Sequence, residues 1–441
     1  MDINWTQTLN IMILEILIVL FISLICVYLK PDKILILMAL LLPIHGTIKT
    51  IVFGDGGDIF ALWKEIAIII LFIKTSRYSA QETIKYRNLF ILYVIFVIYC
   101  LVMTAYSYSQ HMAFLTNLKK ILFPTFIFLS IAKLHLTKTQ IGNILLSFAI
   151  GSILINITGL IDFFSPALRM IFRSMMKVGF VLDNKGQIYY DISSYTIMGI
   201  NRVCGLMSGG PNQMGIYNSL VVFCLILYLM YFKSKQRIKS IFVYFILILS
   251  TFCLLTSFSR AGWGVLCIAL LLYALKSKQK AKVIYGIVFA IIIILISSLV
   301  DPKIEYVIAG TLSGKEASSA ARGSMTLDAF RFVLNHPLGG GVGASDPSNF
   351  SKGFLYFAES SLLNIAIDIG VFGFLFLSVL YLKMYIYIKN NKQNMLNILG
   401  AFYLVANYIT SLVSVNPYET PYIYLSWILL GLTACTIKKT N

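Results

Sequence analysis

Apolar runs of about 18–22 residues recur from one end of the chain to the other, each long enough to cross the hydrocarbon core as a helix. They begin near Ile11, Ile34, Ile59, Leu89, Ala113, Ile141, Gly215, Ile241, Trp263, Val283, Leu362, Met395 and Tyr422. Most polar stretches between them are short, but those at 165–212 and 301–358 are long. Membrane helices satisfy their own backbone hydrogen bonds, so an all-α fold is predicted. The expectation is a polytopic transmembrane helical bundle of about 12–13 spans, a single integral-membrane domain over 1–441 with no separate soluble domain. The first run is long and has no basic segment ahead of it, so it reads as a retained helix. No repeat of fixed period and no low-complexity tract interrupts the pattern.

Composition agrees: 59% of residues are apolar and only 12% charged. The net charge of +18 suggests nucleic acid until its distribution is considered. Lysines gather in alternate short connections, among them Lys30 and Lys33, Lys233 and Lys235, Lys276 and Lys278, Lys389 and Lys392, and Lys438 and Lys439. Cytoplasmic loops show that bias, so the charge reports topology and no nucleic-acid partner is expected. It directs 165–212, 257–262, 301–358 and 414–421 outward and leaves the C-terminus in the cytoplasm. Of the seven cysteines, only Cys204 is expected outside the spans on the outward side. No pair has metal-ligand spacing, and small apolar packing is the simplest role.

Arginine breaks the charge pattern. Six of the nine (Arg169, Arg173, Arg202, Arg260, Arg322 and Arg331) fall on the predicted outward side, the reverse of the usual bias. Guanidinium groups give planar, bidentate hydrogen bonds to phosphate, a geometry lysine cannot copy. Arg202 precedes Gly205 and Pro211-Asn212, Arg260 sits in the tight turn Ser257-Phe-Ser-Arg-Ala-Gly262, and Arg322 follows Ala317-Ser-Ser-Ala-Ala321. The competing reading is snorkelling to lipid headgroups, favoured for Arg169 and Arg173. Glu359 stands where the second long loop returns to the membrane. It can act as a general base toward a sugar hydroxyl or as a helix-start acid capping free amides.

Further charges lie inside predicted spans: Glu15, Lys64, Glu65, Lys119, Lys120, Asp162 and Asp368. Intramembrane charge is expensive and marks function or pairing. Lys119 and Lys120 either reach a phosphate, or Lys64 and Lys119 pair with Glu65 or Asp162; pairing is slightly favoured. An amphipathic helix is expected over Met325–Asn335, with Leu327, Phe330 and Leu334 on one face, lying on the membrane or over the bundle. His336-Pro337 stops it, although His336 could assist catalysis. The glycines 339–343 read as a turn rather than a phosphate cradle, since no Gly-Lys-Ser/Thr follows. Histidines are scattered, and no metal or cofactor is expected. The cytoplasmic loops are too short for a nucleotide-sugar domain.

Four motifs in order carry a resemblance. They are Arg202-Val-Cys-Gly205 with Pro211-Asn212, Ser259-Arg260-Ala-Gly262, Arg322 with His336-Pro337-Leu-Gly-Gly-Gly, and Glu359-Ser360 followed after nine residues by Gly370-Val-Phe-Gly373. Over roughly 200–380 the chain resembles the O-antigen polymerase (Wzy-type) and O-antigen ligase family. The resemblance implies a metal-independent, GT-C-like glycosyltransferase in the bacterial inner membrane. Its donor and acceptor would be undecaprenyl-pyrophosphate-linked oligosaccharides used at the periplasmic face. Arg202, Arg260 and Arg322 would bind pyrophosphate and Glu359 would be catalytic, with inversion at the anomeric carbon. Lys119, Lys120, Asn212, Arg331 and His336 are further candidate substrate contacts, and a chain-length regulator is a candidate partner. In ligases the position matching Glu359 is normally histidine, so the carboxylate favours the polymerase branch. Ligation to lipid A core and a flippase or transporter are the alternatives.

Overall fold

The computed structural model describes residues 5–54, 57–76, 84–105, 111–176, 180–182, 188–190, 195–197, 200–232, 237–276, 317–346, 357–390 and 395–438. The predicted span near Val283 and the loop stretches 301–316 and 347–356 lie outside these residues. Among the described residues, nine helices are long and apolar enough to cross a membrane. The protein is therefore an all-α, multi-pass membrane protein.

The helices are α1 (Trp5–Tyr28), α2 (Pro31–Phe53), α3 (Trp63–Ser76), α4 (Ile84–Thr104), α5 (His111–Ala132), α6 (Lys138–Phe164) and α7 (Pro166–Met175). They continue with α8 (Gly210–Tyr231), α9 (Arg237–Thr256), α10 (Arg260–Lys276), α11 (Ala317–Asn335), α12 (Ser361–Asn390), α13 (Met395–Val413) and α14 (Tyr422–Ala434). Three predicted spans are shorter than expected. Helices α3, α10 and α14 have 14, 17 and 13 residues, about 20–25 Å against a hydrocarbon core of about 30 Å. Helix α14 is the central rod: every residue in it is buried, as its uniform apolarity requires. It packs against α5, α13, α8 and α2. By contrast α1, α4 and α9 turn Phe21, Ile98 and Ile248 outward, the exposure a lipid-facing helix shows.

The intramembrane charges are mostly partnered. Glu15 accepts from the amides of Gly57, Ile59 and Phe60 at 2.9–3.0 Å. Asp162 holds Arg169 at 3.0 Å and also accepts from the Cys204 and Gly205 amides. Snorkelling is thus corrected for Arg169, which is tied to a buried carboxylate. It is corrected for Arg173 as well, which is itself buried and donates to the Arg202 carbonyl at 2.9 Å.

Helix α12 is broken at Gly370, whose backbone (φ 74°, ψ 177°) is not helical. The glycine loop after α11 fills the break. Val371 donates to the Pro337 carbonyl and Gly340 to that of Ile367. Ser345 donates its amide to Asp368 at 2.8 Å. Irregular backbone at membrane depth is tolerated only where it is buried in protein, and here another stretch of backbone buries it. Helix α11 begins eight residues before its predicted start because the alanine- and serine-rich stretch from Ala317 is helical. Its buried face is Ala329 and Val333, packed near Ile367. Leu327, Phe330 and Leu334 face outward, away from the bundle.

The first long loop carries α7 and the strands β2 (Phe180–Leu182) with β3 (Ile188–Tyr190) and β4 (Thr196–Ile197) with β5 (Ile200–Asn201), each an antiparallel pair. At the opposite end β1 (His135–Thr137) pairs in parallel with β6 (Thr436–Lys438).

Candidate functional site

The Arg202 segment leaves β5 and runs over the end of α6. Gly205 (φ 52°) is required there, because a Cβ would meet the Gly159 amide nitrogen at 2.6 Å. The Arg202 guanidinium is then fixed from two sides. Its Nε donates to the Ser257 carbonyl at 2.9 Å and a terminal nitrogen donates to Asn212 Oδ1. Asn212 lies in the first turn of α8, behind Pro211, which suits the start of a helix. Burial and then the Asp162 carboxylate push the neighbouring Cys204 thiol up to about 12, so at neutral pH it stays a neutral packing group.

Arg260 opens α10 immediately after the turn 257–259. Phe258 in that turn has φ 49°, an unusual conformation for a bulky side chain. Ser259 Oγ donates to the Asn212 carbonyl at 3.1 Å and accepts from the Gly262 amide. Gly215 and Gly262 let α8 and α10 touch: a Cβ on Gly262 would lie 2.6 Å from the Gly215 backbone. The glycines and serines of both motifs therefore bring Arg202 and Arg260 close together.

Glu359 arrives from the other half of the chain. Helix α12 starts at Ser361, and Ser360 Oγ caps it by accepting from the Leu363 amide at 3.1 Å. That assigns to Ser360 the capping role weighed above for Glu359. The approach is pinned to the end of α13: Ser360 Oγ donates to the Ser411 carbonyl and Ser361 Oγ to that of Ser414. Asn364 clasps Ala358 through both its amide and its carbonyl. The glutamate is thereby held on a rigid backbone just outside the helix.

These pieces meet in one cavity of about 280 Å³ lined by Arg202, Asn212, Arg260 and Glu359, closed by Ser414 and Asn416 and flanked by Thr410. The same cavity has apolar lining residues: Phe258, Ala261, Ile268, Ile409 and Val413. Val413 and Ile409 are also exposed, so the apolar part of the lining continues to the surface of the bundle. Two guanidinium groups, a carboxylate and exposed apolar side chains in one cavity suit an anion carried on a hydrocarbon chain.

The remaining candidates lie elsewhere. The Arg322 side chain is outside the described residues. Arg331, expected near substrate, is largely exposed on α11 and pairs with Asp328 at 3.3 Å. His336 is exposed, stacks on Phe332 and lies at the end of α11. Neither lines the cavity. Lys119 and Lys120 line a different, smaller cavity with Lys64. Lys119 pairs with Glu65 at 3.0 Å, whereas Asp162, its other predicted partner, is taken by Arg169. Among the described residues no three His, Cys, Asp or Glu side chains gather. Sequence reasoning missed Ser414, Asn416 and Thr410. The only signal was the outward segment 414–421, which carries no arginine.

Residues 245–378 match the family model described as O-antigen ligase. The match includes Arg260 and Glu359, while Arg202 and Asn212 precede it. No curated protein matches the chain.

Proposed function

We propose that this chain, whose residues 245–378 match a family model described as O-antigen ligase, is a polysaccharide polymerase. It would move a growing glycan from its polyprenyl pyrophosphate onto the next lipid-linked repeat unit, at the periplasmic face of the inner membrane. The observation that carries the reading is the cavity lined by Arg202, Arg260 and Glu359 together with the exposed apolar side chains of Ile409 and Val413.

In this mechanism the diphosphate of the donor lies against Arg202 and Arg260. The guanidinium fork forms charge-assisted hydrogen bonds that strengthen as negative charge builds on the leaving oxygen. Ile268, Ile409 and Val413 receive the first part of the polyprenyl chain. Glu359 takes the proton of the acceptor hydroxyl as that oxygen attacks the anomeric carbon. One carbon–oxygen bond forms, the bond to diphosphate breaks, and the lipid pyrophosphate leaves with the electron pair. Attack opposite the leaving group inverts the anomeric centre.

The nearest alternative is a ligase that uses the same donor. The carboxylate at 359, where ligases normally carry histidine, favours polymerisation. A transporter reading draws on the broken helix α12, but the backbone of Pro337 and Leu338 fills that break: a Cβ on Gly370 would meet the Pro337 oxygen at 2.3 Å. Reconstitution of the full chain with a defined lipid-linked repeat tests the proposal. A ladder of lengthening glycans on lipid is expected. Substrate that crosses the vesicle without covalent change, or polymer transferred only to a lipid A core acceptor, would overturn it.

A further inference from the structure

Polymerisation in this form needs two lipid-linked substrates at once, and the arginine cavity accounts for one diphosphate. A second cavity of about 80 Å³ is lined by Lys64, Lys119, Lys120, Thr116 and Thr420, with Phe123 among its apolar members. Lys64 is almost wholly buried. Lys119 lies eight residues into α5, about 12 Å from its start.

The charges around this cavity do not balance. Glu65 Oε1 accepts from Lys119 at 3.0 Å, approaches Lys64 at 3.5 Å and also takes the Tyr424 hydroxyl at 2.7 Å. Lys120 meets Glu419 at 2.8 Å. Among the described residues, three ammonium groups face two carboxylates. Lys119, Lys120 and Glu419 are partly exposed, whereas the buried Lys64 shares Glu65 and donates to the Ala61 carbonyl, so the surplus positive charge is a buried one. Such a charge is costly at membrane depth unless an anion completes it.

One short segment contributes to the lining of both cavities. Asn416 lines the arginine cavity, and Tyr418 and Thr420 line the lysine cavity. Asn416 and Thr420 are four residues apart, at most about 14 Å along the chain. The cations also differ in kind. Arginine forks suit a diphosphate whose bonding changes during reaction, while lysine ammoniums anchor a phosphate as point charges. Glu359 is not among the residues lining the lysine cavity.

We infer that the cavity of Lys64, Lys119 and Lys120 binds a phosphate group borne on a lipid. On the reading given under Proposed function, that group is the pyrophosphate of the acceptor glycan. The same chemistry is offered by an anionic phospholipid headgroup, so the test separates the two sources. Full-length protein in phosphatidylcholine nanodiscs is titrated with glycan-free polyprenyl pyrophosphate and the bound equivalents are counted by native mass spectrometry. Wild type should bind two. Lys119→Gln/Lys120→Gln should bind one, and these residues are chosen because both are about a third exposed, leaving the buried Lys64–Glu65 pair intact. Arg202→Gln/Arg260→Gln should also bind one, at the other cavity. Lys119→Arg/Lys120→Arg should restore the second equivalent, which separates lost binding from lost folding. A single equivalent on wild type, or two on the lysine-to-glutamine variant, overturns the inference. In nanodiscs that also carry phosphatidylglycerol, retention of that lipid at this cavity against added pyrophosphate would keep the lipid-phosphate site and overturn its assignment to the acceptor pyrophosphate. Two equivalents on a wild type that makes no polymer would keep the second anion site and remove the polymerase reading; polymer made with one equivalent bound would do the reverse.

Discussion

Glu359 stands one position outside the capping site of its helix, and that single register decides what its carboxylate can do. Ser360 satisfies the Leu363 amide, so the glutamate is left lining the cavity with Arg202 and Arg260. Glu359→Gln keeps the shape and removes the proton acceptor. In the reconstituted polymerisation assay its turnover should fall by at least about a hundredfold, within the usual contribution of general base catalysis, with lipid-pyrophosphate binding retained. Arg260→Lys keeps the charge and loses the fork. Losing one charge-assisted hydrogen bond of about 1.5–3 kcal/mol should slow transfer roughly ten- to a hundredfold. Wild-type glycan ladders from both variants would remove these residues from the chemistry. The arginines could be picked out in the sequence because they fall in segments that the lysine pattern predicts to face outward, the reverse of the usual bias. Ser360, Ser414 and Asn416 could not, since small polar residues at helix ends look alike wherever they occur.

At the scale of elements, the glycine loop and the break in α12 form one unit. Gly370 adopts a backbone region that is almost restricted to glycine, and Gly339 (φ 83°) lies against it, with a Cβ only 2.5 Å from the Gly370 nitrogen. Gly370→Ala should therefore destabilise the protein by at least about 1–3 kcal/mol, read as a lower melting temperature in detergent. Gly323 is the control. It lies within α11 with nothing within 4 Å of an added Cβ, so Gly323→Ala should be neutral or stabilising by up to about 1 kcal/mol. Equal shifts for the two would contradict the docked-loop description. The sequence presents Gly339–Gly343 and Gly370 as two separate punctuation marks more than twenty residues apart. Each reads locally as a turn or a flexible point, and only their contact explains why both are glycine.

For the whole molecule, the lysine clusters and the placement of the cavity make one joint statement about sidedness. Residues 257–259, 359–360 and 414–416 all approach the arginine cavity, while Lys389 and Lys438 belong to the other ends of α12 and of the strand after α14. A phosphatase reporter that is active only outside the cytoplasm should work when fused after Asn335 and fail when fused after Asn390. The reverse pattern would move the cavity to the cytoplasmic face and end the proposal of a periplasmic reaction.

The sequence by itself determined that this is an all-α, many-span membrane protein. Long apolar runs have no other stable way to satisfy their backbone in lipid. It also singled out Arg202, Arg260 and Glu359, because charge at a membrane boundary is rare enough to be informative. Only the tertiary structure decided which charges share a cavity and which are spent on pairing. Arg169 and Arg173 carry the same guanidinium as Arg202 and Arg260, yet one is tied to Asp162 and the other is buried behind Arg202. Partnership between residues far apart in the chain depends on which helices touch. Hydropathy fixes each helix separately and says nothing of its neighbours.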